Sequence, residues 1–155
     1  PPSPNLPNMK AVYLYPATCY FEATPVSLGR GTSLPFQVYG HPNMTGYDYS
    51  FTPKSVPGAK NPPQLNKLCH GVNLSNMSDE EIWKRGVDLS YVIDAYKNLN
   101  IGDHFFRPFF ELLVGTDYVR KMIIEGKSAE EIKNRWKGDV EKFKEQRKPY
   151  LLYQE

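Results

Sequence analysis

The hydrophobic pattern divides the chain near residue 77. Before that point apolar residues come in short bursts separated by proline, glycine and asparagine, the punctuation of strands and ordered loops. Residues 10–15 (Lys-Ala-Val-Tyr-Leu-Tyr) form a β-branched and aromatic run that Pro16 ends, and they read as a strand. Residues 35–40 alternate and read as a second strand; residues 49–52 and 68–74 are further candidates, the last weakened by Gly71. Residues 17–33 and 41–66 read as long structured loops. Loops of such length in a compact domain are usually functional or disordered, and their aromatic content favours order here.

After residue 77 the period changes to that of helices. Ser78 and Glu81 occupy the N-cap and N3 positions of a capping box. Behind them Ile82, Leu89, Val92, Ile93, Tyr96 and Leu99 fall on one face of a helix. Thr116 and Asp117 open another, carrying Val119, Met122 and Ile123 and ending at Gly126 in a left-handed cap. Ser128 and Glu131 make a second capping box, followed by a stripe of Ile132, Trp136, Val140 and Phe143. Pro149 stops that helix, and Tyr150-Leu151-Leu152-Tyr153 reads as a closing strand, edge or central. The expected fold class is α+β: a small sheet with long ordered loops in the N-terminal half, covered by about three helices from the C-terminal half.

Composition sharpens the division. Twelve of the 14 prolines lie within residues 1–63, and residues 1–77 hold only two carboxylates, Glu22 and Asp48. At 155 residues, 40% hydrophobic and 23% charged, the chain reads as one globular domain. A net charge of +2 excludes a strongly basic nucleic-acid binder. No run is apolar and long enough for a transmembrane segment. The proline-rich start, residues 1–8, reads as a linker cut from something longer, leaving 9–155 as the folded domain.

Glu22 is the first candidate for chemistry. A lone carboxylate in an acid-poor, aromatic half needs a partner if it is buried, and Arg30 is the obvious one. The two either face a polar cleft or staple the loop as a structural ion pair. Gly29-Arg30-Gly31-Thr32 allows a tight turn with exposed backbone N–H groups, but it lacks phosphate-loop spacing. His41, His70 and His104 are scattered, and Cys19 and Cys69 have no paired spacing, so neither a metal site nor a Cys–His nucleophile is supported. The cysteines read as small buried thiols. The aromatic content, 14%, serves either stacking on sugars or an aromatic core. Glycoside hydrolysis uses two carboxylates, so a glycosidase would have only part of its site here.

Several segments together resemble one family. These are Tyr15-Pro16, Phe21-Glu22, Val26-Ser27-Leu28-Gly29-Arg30-Gly31-Thr32, Pro35-Phe36-Gln37, Phe51-Thr52-Pro53, Cys69-His70-Gly71-Val72 and Arg147-Lys148-Pro149-Tyr150-Leu151-Leu152-Tyr153. In order and spacing they are similar to the C-terminal domain of the NamZ-type exo-β-N-acetylmuramidases, formerly a domain of unknown function. The resemblance runs from about residue 9 to 153. It implies an N-terminal Rossmann-like partner domain, a cleft between the two, and release of N-acetylmuramic acid from non-reducing ends of peptidoglycan. It implies no metal or organic cofactor, an extracytoplasmic location (periplasmic, lipid-anchored or secreted), and a domain inactive by itself. Carried over residue by residue, it makes Glu22 catalytic and Arg30, Thr32, Gly31, Ser27 and His70 substrate-binding. Arg30 is the expected holder of the lactyl carboxylate of muramic acid. Ala23-Thr24-Pro25 stands where the family has Gly-Thr-Asn, and His70 where a tyrosine is common. The alternative is a non-catalytic glycan-binding or structural domain.

Overall fold

A computed structural model describes residues 1–153; the last two positions of the expected domain lie outside it. Element α1, Met9–Thr18, occupies the place of the expected first strand. Its buried positions are Ala11, Leu14, Ala17 and Thr18, a spacing of a helix and not of a strand. Asn8 caps it, its Oδ1 accepting from the Ala11 N–H at 2.9 Å. Pro16 sits in the last turns, where its missing N–H removes one helical bond without ending the helix. The chain then tightens into a 3₁₀ turn, Cys19–Ala23.

Three short strands follow where the alternation placed them: β1 Val38–His41, β2 Tyr49–Phe51 and β3 Cys69–Asn73. They form an antiparallel sheet in the order β1-β3-β2, with Gly40 opposite Gly71 and Ser50 opposite His70. Gly71 lies so close to β1 that an added Cβ would sit 2.0 Å from the Tyr39 carbonyl oxygen. Absence of a side chain, which made this strand look weak, is what permits the approach. Ser27 pairs with Gly40 through N–H···O bonds of 2.8 and 2.9 Å, tying the loop before β1 to its outer edge.

Helices fill the second half: α2 Asp79–Arg85, α3 Ser90–Leu99, α4 Phe110–Val114, α5 Tyr118–Ile124 and α6 Ala129–Arg147. They number five, against about three expected. One difference is that the stripe from Ile82 to Leu99 belongs to two helices. Gly86, at φ 61°, ends α2, and the Asp88 carboxylate accepts from Ser90 N–H at 2.8 Å at the start of α3. The other is the single-turn α4, too short to show a period. The second capping box forms in full and the first only by half, since the Glu81 carboxylate accepts from Arg85 instead of the Ser78 backbone. Ser78 Oγ accepts from Glu81 N–H, and Ser128 with Glu131 completes a reciprocal box.

One core joins the halves. Leu14, Phe21, Val26 and Phe36 pack with Leu89, Val92, Phe105, Phe110, Ile123 and Ile132, all nearly inaccessible. Much of the aromatic excess is therefore core. The α6 stripe is covered at one end only: Ile132 is fully buried, whereas Val140 and Phe143 are 42% and 59% exposed. Residues 150–153 form no strand. A 3₁₀ turn, Lys148–Tyr150, leads into an exposed bend, and the three-stranded sheet does not include this apolar run. Residues 1–8 turn back on the domain, closed by Leu6 N–H to Ser3 O at 2.9 Å.

Candidate functional site

Glu22 is presented by the 3₁₀ turn after α1, Arg30 by the loop that leads to β1. Tight turning there depends on glycine: Gly29 and Gly31 have φ of 83° and 81°. Gly31 also lets residues 54–62 come close, its carbonyl accepting from Lys54 N–H at 2.9 Å. The Arg30 guanidinium donates from Nη2 to Glu22 Oε1. It also lies over the Phe36 ring, 5.2 Å from the centroid, and Phe36 packs in turn on Tyr15 at 5.0 Å. The two charged side chains keep 24% (Glu22) and 31% (Arg30) of their surface exposed.

That pair lines a cleft of about 340 Å³ together with Leu28 and residues 58–63. A groove of about 390 Å³ along α6 is larger, but its walls all come from one helix. Groups from separate parts of the chain converge on the first, the arrangement a binding site needs. They also converge on an apolar hollow of about 280 Å³ between Tyr20, Leu89, Tyr118 and Trp136, but that hollow holds no charged side chain. Near the pair, burial and then the Glu22 charge push the Cys19 thiol up to about 11. Burial, Cys19 and Glu22 raise the Tyr15 phenol, and Arg30 opposes them. Cys69 is also pushed up to about 11 by burial. Both thiols are therefore protonated at neutral pH and poor nucleophiles.

Glu22 and Arg30 are brought together, and Gly31 follows Arg30 and packs against Pro62 of the cleft lining, while Ser27, Thr32 and His70 are engaged in other contacts. Ser27 is fully buried and its Oγ faces Gly29 N–H at 3.4 Å. Thr32 Oγ1 donates to Gly29 O at 2.7 Å and accepts from Leu34 N–H at 3.0 Å, so it closes the loop's own turn. His70, on β3, has Nδ1 2.9 Å from Ser50 Oγ of β2 and is not part of the cleft lining. Sequence reasoning did not pick out Lys60 and Asn61, which line the cleft. The signal available was the length and proline content of their loop. Among the described residues no cluster of three or more His, Cys, Asp or Glu could hold a metal ion, and no helix is long and apolar enough to cross a membrane.

The chain is similar to several known proteins. The family described as "Exo-beta-N-acetylmuramidase NamZ, C-terminal" matches residues 13–153. A curated relative, the peptidoglycan beta-N-acetylmuramidase NamZ of Bacillus subtilis strain 168, is 34% identical over 98% of this chain, which spans 40% of that protein's length. A DUF1343 family protein of Bacteroides fragilis NCTC 9343 has a crystal structure that superposes with a TM-score of 0.99 at 82% identity. All of this chain is covered in that match, and 44% of the other. A second DUF1343 protein of the same strain matches with a TM-score of 0.69 at 19% identity, covering 99% of this chain and 45% of its own, and shares the fold. By the family match and the curated relative together, this chain belongs to the NamZ exo-β-N-acetylmuramidase family and is its C-terminal domain.

Proposed function

We propose that this domain forms one wall of the substrate cleft in a peptidoglycan exo-β-N-acetylmuramidase that releases N-acetylmuramic acid from non-reducing ends. The observation that carries the reading is the partly exposed Glu22–Arg30 pair, set on a cleft in a half of the chain that holds only one other carboxylate. A staple serving stability alone has no need of a cleft in front of it. Glu22 orients the sugar or assists proton transfer, and Arg30 holds the carboxylate in place. Hydrolysis at a glycosidic bond uses two carboxylic groups, so the second comes from the rest of the protein, an N-terminal Rossmann-like domain, and this domain alone is inactive. Peptidoglycan as substrate supports a location outside the cytoplasm, periplasmic, lipid-anchored or secreted.

The test uses the full-length protein with a chromogenic β-N-acetylmuramide and, in parallel, the β-N-acetylglucosaminide. Release from the muramide, with about a hundredfold loss in Glu22→Gln, corresponds to about 3 kcal/mol of transition-state stabilisation. Release untouched by the substitution makes Glu22 a loop staple. Absence of release from either sugar sinks the muramidase reading and leaves a glycan-binding wall.

A further inference from the structure

The cleft is lined by one carboxylate, Glu22, and two cations, Arg30 and Lys60. Glu22 and Arg30 neutralise one another by direct contact. Arg30 is further committed to the face of Phe36. What remains is one positive charge, on Lys60. No hydrogen bond or ion pair to another described residue engages its ammonium group. The lysine is exposed and free to meet a ligand.

Its backbone, by contrast, is held. Val56 and Ala59 exchange N–H···O bonds of 3.2 and 2.9 Å, closing a turn just before Lys60. Ala59 and Pro62 on either side are buried. Asn5 Nδ2 donates to Gly58 O at 3.1 Å, and Gln64 Nε2 to Pro25 O at 2.8 Å. Gly31 accepts Pro62 against it: an added Cβ there would meet Pro62 Cγ at 2.8 Å. The loop that bears Lys60 is thus clamped to the loop that bears Arg30. A flexible cation on a fixed backbone, lining the same cleft as a neutralised pair, suits recognition of a single carboxylate.

We propose that Lys60 is the specificity-determining residue that reads the lactyl carboxylate of the muramoyl sugar, while Arg30 is a positioning residue for Glu22. The inference rests on the muramidase reading. It moves the carboxylate contact expected of Arg30 to a residue whose charge is unspent.

The full-length protein is compared on three probes: a chromogenic β-N-acetylmuramide, the same compound with its lactyl carboxylate converted to the carboxamide, and the glucosaminide. The carboxamide keeps the shape, removes the charge and turns one acceptor oxygen into an NH2 donor, which a lysine ammonium cannot use. The wild type is expected to prefer carboxylate over carboxamide in kcat/KM by about tenfold or more, a ratio that falls as salt is raised. Lys60→Met should bring the ratio near one by lowering kcat/KM for the carboxylate alone; Lys60→Arg should largely keep it. A ratio unchanged in Lys60→Met overturns the proposal. So does a wild type that draws no distinction between the first two probes. Calorimetric binding of N-acetylmuramic acid and its lactyl amide separates the two levels of the argument. A Lys60-dependent preference in binding, with no release of any sugar, refutes the muramidase reading and retains the carboxylate site.

Discussion

Replacing Gly31 by alanine tests the clamp beneath the cleft, and Gly46 supplies a built-in control. Both glycines have φ of 81°. Alanine in that region costs about 1–2 kcal/mol, offset by about 0.4–1 kcal/mol from the stiffer unfolded chain. At Gly46 nothing lies within 4 Å of the new methyl, so the net cost there should stay below about 1.6 kcal/mol. At Gly31 the methyl would stand 2.3 Å from Lys54 O and 2.8 Å from Pro62 Cγ. Lys54 backbone must then move, weakening its 2.9 Å bond to the Gly31 carbonyl. Overpacking of this sort costs about 1–3 kcal/mol and a lost hydrogen bond about 1 kcal/mol. The expected total for Gly31→Ala is about 3 kcal/mol, which for a domain of this length lowers Tm by about 6–12 °C. Urea unfolding followed by far-ultraviolet circular dichroism, with both variants beside the wild type, measures the difference. Equal losses in the two variants would show that the φ angle alone matters, and the close approach that holds the Lys60 loop would be refuted.

Two further outcomes are expected. Ile132→Ala removes a fully buried side chain and should cost about 2–4 kcal/mol, whereas Phe143→Ala, more than half exposed, should cost less than about 1 kcal/mol; comparable losses in urea unfolding would mean that α6 packs along its whole stripe. Cys19 and Cys69, each pushed up from 9.0 to about 11, should react with iodoacetamide at pH 8 about a hundredfold more slowly in the folded chain than in the unfolded one. Because both folded values are raised, the stability these thiols lend is complete below about pH 9 and is lost as pH rises towards 11. An unfolding free energy that does not fall over that window contradicts the assignment.

Elements whose signals are local were legible in the amino-acid sequence. Ser78 and Ser128 mark helix starts because a side-chain oxygen three residues ahead of an orphan N–H satisfies it whatever the surroundings. Strands β2 and β3 lie inside the candidate runs, β1 overlaps its run and extends one residue past it to His41, and Glu22 finds Arg30 because a carboxylate leaving water among aromatics requires a cation. Where two periods fitted a short run, tertiary packing decided. Residues 10–15 have strand propensity, yet the core accepts Ala11, Leu14 and Thr18 on one side, and the segment is a helix. Residues 150–153 have the same propensity and stay an exposed bend outside the sheet, since propensity without a paired neighbour makes no strand. Thr32 and Ser27 carry hydroxyls that look free in sequence, but folding spends them on the loop's own backbone. Lys60 is unremarkable in sequence and becomes a cleft residue only through contacts between segments far apart along the chain, a long-range pairing that no local pattern encodes.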